Sequence, residues 1–313
     1  MAIDPSHFSL YEAMQSVWND QKVLSPTHRE LIGACLPSSS EEGPKSEEDL
    51  QLLQEVTAAC ILLNGIRTDK YHWLSPHGIS FPDSVLGFTY LVADRICRFE
   101  FTAQKSSVSW SQFREKLRGF LIRERPHVVT LNYDDLVGEI ISSEPLLSDL
   151  YKSGFVNGRF ARKNLIRSSD EKECSWFLKL HGSPYIYTAK DNSIRVSSRT
   201  HEEDINTSTM HLVLSHVSKK EILIDASPLL REYWDFFTIA LRDSEEILII
   251  GYSGNDTHLN HLLRNNPNLK VRLVEWVGAG GQAVRRKFWE DTVGRGFDYV
   301  PMEDILDFDF FAS

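Results

Sequence analysis

Residues 246–256 read Glu-Ile-Leu-Ile-Ile-Gly-Tyr-Ser-Gly-Asn-Asp. A short, continuous apolar run closed by a glycine turn and followed by a helical pattern is how a strand buried on both faces leaves a parallel sheet. The same texture recurs on either side. His127–Leu131 runs into Asn132-Tyr133-Asp134-Asp135 and a helical pattern through Ile141, and Trp176–Leu180 runs into His181-Gly182-Ser183. Leu269–Val274 precedes the Gly278–Gly281 loop and a helix over Gln282–Val293. Phe297–Val300 is a fifth run, before a short acidic helix from Met302. Tyr185–Thr188 and Ser193–Ser197 flank Ala189–Asn192 as a hairpin. Alternating strands and helices predict an α/β fold, a Rossmann-like parallel sheet with helices on both faces.

Upstream of Pro126 the chain reads as helix and loop. Leu10, Ala13, Met14 and Val17 share one helical face. Leu36–Lys45 is loop, and Ser46 with Asp49 forms a capping box for a helix running to Leu63, with Gly65 at the C-cap position. Pro76, Gly78 and Pro82 mark an irregular stretch, followed by helices over Ser84–Phe99 and Ser111–Arg123. The organisation expected is one domain over 1–313, a mostly helical portion (1–125) leading into a Rossmann-like core (126–313).

The 313 residues are 42% hydrophobic and 25% charged, which excludes a collagen, a disordered tail protein and a disulfide scaffold. The longest apolar run, Ala58–Leu63, is far short of a membrane span, and the first twenty residues lack the apolar core of a signal peptide. A soluble, cytoplasmic protein is expected. The net charge is −10, unfavourable for general polyanion binding. Arg285–Lys287 and Arg159–Lys163 are short basic clusters that read as solvated helix faces. Cys35, Cys60, Cys97 and Cys174 form no C-x-x-C pair, and reduced thiols are the expectation. His211, His216, His258 and His261 lack an E-x-x-H frame or cysteine partners, so no metal is expected.

In open parallel sheets, ligands bind beyond the carboxyl ends of the strands. Three such ends carry polar groups: Asn132-Tyr-Asp134, His181-Gly-Ser183 and Gly251-Tyr-Ser253. Each alone is an ordinary turn or helix cap; their succession points to a nucleotide site. The trio Thr130–Asp134, Leu178–Ser183 and Ile249–Asp256 resembles the sirtuin-like NAD-hydrolase domains of bacterial anti-phage systems, over residues 126 to 276. The resemblance implies NAD as substrate, with Asn132 and His181 as the catalytic pair. It also implies that Gly251 and Ser253 contact the dinucleotide and that Glu275, ending the next strand, holds the adenosine ribose. Asp134 either orients the site or caps the following helix. A homo-oligomer or a separate sensor protein is the partner implied, with no direct nucleic-acid or membrane binding.

The sequence departs from that family at one point. Sirtuin-like domains open on a strand and a loop of the G-A-G-x-S type, whose amides cradle phosphates. Here Ala2–Tyr11 resembles the segment downstream of that loop, and Gly278–Gly281 lies after the fourth strand. Either Met1 lies downstream of the loop in a truncated sequence, or the chain is divergent, and weak NAD binding by residues 1–313 is expected in both cases. Two other functions stay open: an NAD or nucleotide-derivative binding module without turnover, and a protein deacylase, which would call for a four-cysteine zinc ribbon.

Overall fold

The computed structural model describes residues 9–20, 24–37, 42–65, 74–98, 108–167, 174–197, 204–214 and 220–311. The first third is helical: α1 (Leu10–Asn19), α2 (Pro26–Gly33), α3 (Glu47–Gly65), α4 (Pro76–Cys97) and α5 (Val108–Glu124). Ser9, Ser25 and Ser75 start α1, α2 and α4 by accepting a hydrogen bond from the amide three residues on. At α3, Ser46 Oγ accepts from the Asp49 amide at 3.3 Å, while the Asp49 carboxylate accepts from the Lys45 amide at 2.8 Å. The box therefore closes one residue further out than the spacing predicts.

Two helix boundaries differ from the sequence reading. The fourth helix begins at Pro76, well before Ser84, and carries Pro82 inside it. Ser75-Pro76 is a cap followed by a residue whose missing amide is not needed there. Pro82 removes one helical bond, and the buried stripe of Phe81, Val85, Phe88, Val92 and Ile96 holds the helix through it. Gly65 is the last residue of α3 and not a cap beyond it. The predicted features on residues 1–8, 38–41 and 66–73, together with Phe99 and His216, lie outside the described residues.

Beyond α5 come β1 (Val128–Thr130), α6 (Leu136–Ser143), α7 (Pro145–Leu150), β2 (Tyr151–Lys152), β3 (Phe155–Val156), β4 (Arg159–Phe160) and β5 (Ser175–Lys179). Next are β6 (Ile186–Thr188), β7 (Ile194–Val196), α8 (Ile205–Thr209), α9 (Lys220–Ala226) and α10 (Pro228–Asp243). The chain continues through β8 (Glu246–Ile250), α11 (Thr257–Arg264), β9 (Lys270–Trp276), α12 (Gln282–Val293) and β10 (Asp298–Met302). After β10 a single 3-10 turn, Ile305–Asp307, stands where a helix from Met302 is predicted.

Among the described residues, the parallel strands form two three-stranded sheets, ordered β1-β5-β2 and β10-β9-β8. Alternate side chains of each strand point to opposite faces. Trp176 and Leu178 of β5, Ile249 of β8, and Val271 and Leu273 of β9 share one core cluster with Tyr233, Phe236, Phe237 and Leu241 of α10. Phe177 packs instead with Leu121 of α5, and Val274 with Trp110 and Phe113 of the same helix. One helix layer thus covers both sheets on each side, and the fold is Rossmann-like α/β. The hairpin β6–β7 forms with Ile186 opposite Val196, inside a four-stranded antiparallel sheet ordered β3-β4-β7-β6. Arg159 belongs to that sheet and pairs with Asp191, whereas Arg162 and Lys163 of the same basic cluster stand in a 3-10 turn, Arg162–Asn164. No helix of the described residues is long and apolar enough to cross a membrane.

Candidate active site at the strand ends

β1 and β5 run parallel with Thr130 opposite Lys179, and Leu180 N–H donates to Thr130 O at 2.9 Å. Asn132 and His181 each lie two residues past that pair, so the register brings them to one end of one sheet. Asn132 is exposed, with its amide on Thr130 Oγ1 at 3.0 Å. His181 is buried, and its ring lies 6.3 Å, centroid to centroid, from Tyr133. Tyr133 is a packing residue: its hydroxyl donates to Val213 O. Cys97 of α4 reaches the carbonyl of Tyr133 at 2.6 Å, which ties the helical portion to this loop. Burial pushes the Cys97 thiol well above its usual range, and nearby Asp134 and Asp135 act in the same direction.

Asp134 accepts from the Leu136 amide at 3.1 Å and so caps the first turn of α6, while its carboxylate also meets the Asn132 side chain. Burial raises its pKa against the opposing pull of the Leu136 amide and Lys179. It therefore serves both as a cap and as a neighbour of Asn132. The cation of Lys179 is committed to Asp135 at 2.7 Å.

The loop after His181 is fixed by backbone. Val213 N–H donates to His181 O at 3.1 Å, and Gly182, at φ +76°, bridges to Leu212. Beneath it lies His211, fully buried, within 2.8 Å of Ser227 Oγ and 2.9 Å of Thr188 Oγ1. Burial lowers its pKa to about 4, and the residue is structural. His258 packs edge-on to Trp234, and His261 bonds to Asn265. Among the described residues no three His, Cys, Asp or Glu form a group able to hold a metal ion.

The second half of the site lies beyond β8 and β9. Gly251, at φ +66°, and Ser253 are exposed; Gly251 N–H donates back to Val274 O at 3.2 Å. Tyr252 turns inward, its hydroxyl accepting from the Asp256 amide at 2.8 Å. Asp256 is buried and divides its carboxylate. Oδ1 accepts from the Leu259 amide at 3.0 Å, capping α11, and Oδ2 stands 3.4 Å from His181 Nε2. The sequence signals the cap, three residues before a helical amide; the contact with a histidine 75 positions away has no sequence signal.

Glu275 ends β9 and is buried, with its oxygens already engaged. Arg285 grips both at 3.0 and 3.2 Å through Nε, Trp289 Nε1 donates at 3.1 Å, and Tyr299 OH donates at 2.9 Å. Burial alone would raise this carboxyl; the donors outweigh it and hold the pKa below the ordinary value. Arg285 also donates to Ser253 O at 3.0 Å, so Glu275 fastens the Ser253 turn through Arg285. Arg285, taken from sequence as part of a solvated face, is in fact mostly buried against this carboxylate.

The strand ends thus bring together an exposed carboxamide (Asn132), a buried imidazole backed by a carboxylate (His181, Asp256) and an exposed glycine–serine turn. Residues 126–270 match the SIR2-like domain family. The match spans less than half of the chain and marks residues 126–270 as similar to SIR2-like domains. No curated protein matches it.

Proposed function

We propose that the chain cleaves the nicotinamide–ribose bond of NAD with water, and acts by this depletion as an effector of anti-phage defence. The observation that carries the reading is the equal offset of Asn132 and His181 beyond paired parallel strands. Breaking this bond leaves an oxocarbenium-like ribose, so the protein has to orient the sugar and take a proton from the attacking water. A carboxamide donates and accepts at once, which suits Asn132 to hold a ribose hydroxyl and the water together. As the water oxygen bonds to ribose C1′, the imidazole of His181 accepts the water proton. The electron pair of the broken C–N bond leaves with nicotinamide, which departs neutral. Gly251 and Ser253 contact the dinucleotide, Asp134 steadies Asn132, and Glu275 acts through Arg285 on the Ser253 turn.

The test is fluorimetric NAD cleavage by the wild-type chain, Asn132→Ala and His181→Ala, with circular dichroism of each. A general base contributes roughly 100- to 10,000-fold, so a loss of at least about 100-fold with unchanged spectra is expected. Variants as fast as wild type would overturn the site.

Lys179 and Arg285, cations beside these strand ends, are committed to Asp135 and Glu275, and the first turn of α11 is already capped by Asp256, which supports weak binding of NAD by this chain. Calorimetric NAD binding with no product over hours would replace hydrolysis by a binding module without turnover. A homo-oligomer or a separate sensor protein belongs to the first reading, and light scattering of the purified chain reports on the oligomer.

A further inference from the structure

We infer that Asp256 is a positioning residue for His181: its Oδ2 accepts from Nε2–H, fixes the imidazole in one tautomer and leaves the basic lone pair on Nδ1. The inference rests on the proposed hydrolysis, because it names the nitrogen that takes the water proton in that reaction.

An ionised carboxylate only accepts hydrogen bonds, so a ring nitrogen that faces it bears hydrogen. Asp256 Oδ2 faces Nε2 at 3.4 Å, with side-chain exposures of 3% for the acid and 8% for the histidine. Away from water such a pair is screened far less than at the surface. The carboxylate cannot swing away, because Oδ1 holds the Leu259 amide at 3.0 Å as the N-cap of α11. Its backbone is pinned as well, the Asp256 amide donating to the hydroxyl of Tyr252 at 2.8 Å. Two constraints on one side chain aim the second oxygen at the ring.

Two neighbours of His181 are engaged elsewhere. Tyr133 lies across the ring, but its hydroxyl is spent on Val213 O. Lys179, two residues earlier on β5, is paired with Asp135. The main chain of His181 is held by Val213 N–H, so the ring has a fixed base as well as a fixed partner. The arrangement has the logic of a base oriented by a buried acid. Here the acid is the N-cap of α11, beyond the end of β8 in the other three-stranded sheet.

The test compares wild type with Asp256→Asn and Asp256→Ala. Asparagine can keep the cap through its amide oxygen but presents N–H to Nε2, which forces the hydrogen onto Nδ1. In wild type, nitrogen-15 NMR of the histidines should show His181 as the Nε2–H tautomer, and in Asp256→Asn as the Nδ1–H tautomer. The kcat for NAD should fall by about 100-fold or more in Asp256→Asn, with KM within about threefold and the basic limb of the pH profile displaced. Asp256→Ala should lose the cap as well and unfold at a lower temperature than Asp256→Asn. A wild-type His181 carrying its hydrogen on Nδ1, or an Asp256→Asn enzyme with unchanged tautomer and kcat, overturns the inference while leaving hydrolysis intact. Absence of hydrolysis in wild type overturns the proposed reaction, and the NMR assignment still decides which nitrogen Asp256 holds.

Discussion

Gly182 is the position where the smallest perturbation reaches the site. Its φ is +76°, and a methyl group there would lie 1.6 Å from the carbonyl oxygen of His211. In Gly182→Ala the left-handed backbone costs about 1–2 kcal/mol for an L side chain. Relief of the overlap has to come from backbone, because the obstructing atom is a carbonyl in a fully buried segment, and overpacking of that kind costs about 1–3 kcal/mol. Moving His211 strains its bonds to Ser227 and Thr188, worth about 1 kcal/mol each. The total is about 4–7 kcal/mol, a large part of the roughly 5–15 kcal/mol that holds a domain folded. Urea unfolding should show the loss. Gly87→Ala is the matched control, since Gly87 lies inside α4 with nothing within 4 Å of the added methyl. It should stabilise by about 0.5–1 kcal/mol through helix propensity. A Gly182→Ala protein within about 1 kcal/mol of wild type would refute the steric argument.

Three further outcomes can be checked. Glu275→Ala leaves Arg285 buried without its partner and should cost about 3–5 kcal/mol in chemical denaturation; a cost below about 1 kcal/mol would mean that the carboxylate anchors nothing. His127 and His211 are both held neutral by burial, with pKa values lowered to about 4. Their contribution to stability is therefore complete above the unfolded value near 6.5 and is lost as pH falls from there to about 4, with a slope of at most about 1.4 kcal/mol per pH unit for each. Urea midpoints between pH 7 and 4.5 test this, and His211→Gln should flatten the slope. With Lys179 and Arg285 both committed, residues 1–313 should bind NAD with a Kd on the order of millimolar by calorimetry, and low-micromolar binding would show that other groups serve the pyrophosphate.

The strands and helices whose signals are local are readable from sequence. Glu246–Ile250 and Gln282–Val293 carry their own runs, caps and glycines, and the structure keeps those bounds. By contrast β2, β3 and β4 have two residues each, too few to leave a period. α10 carries local signals that the sequence reading leaves unassigned: Ser227-Pro228 starts it, and Leu230, Tyr233, Trp234, Phe237 and Leu241 recur at helical spacing. Asn132 and His181 are legible because each ends a strand. The division of labour in Asp256, and the enclosure of Glu275 by Arg285, Trp289 and Tyr299, arise only when residues distant in sequence meet.

His181 follows β5 of one sheet and Asp256 lies beyond β8 of the other, and among the described residues no ladder of backbone bonds ties β1 to β8. The halves are registered by helices laid across both, α5 on one face and α10 on the other. The contact between the two side chains is thus a vernier for that alignment. Adjacent residues of a strand are about 3.3 Å apart, so a slip of even one residue would part the pair. A ligand that touches Asn132 on one half and Ser253 on the other spans the same seam, and by linkage it would draw its affinity in part from halves already in register.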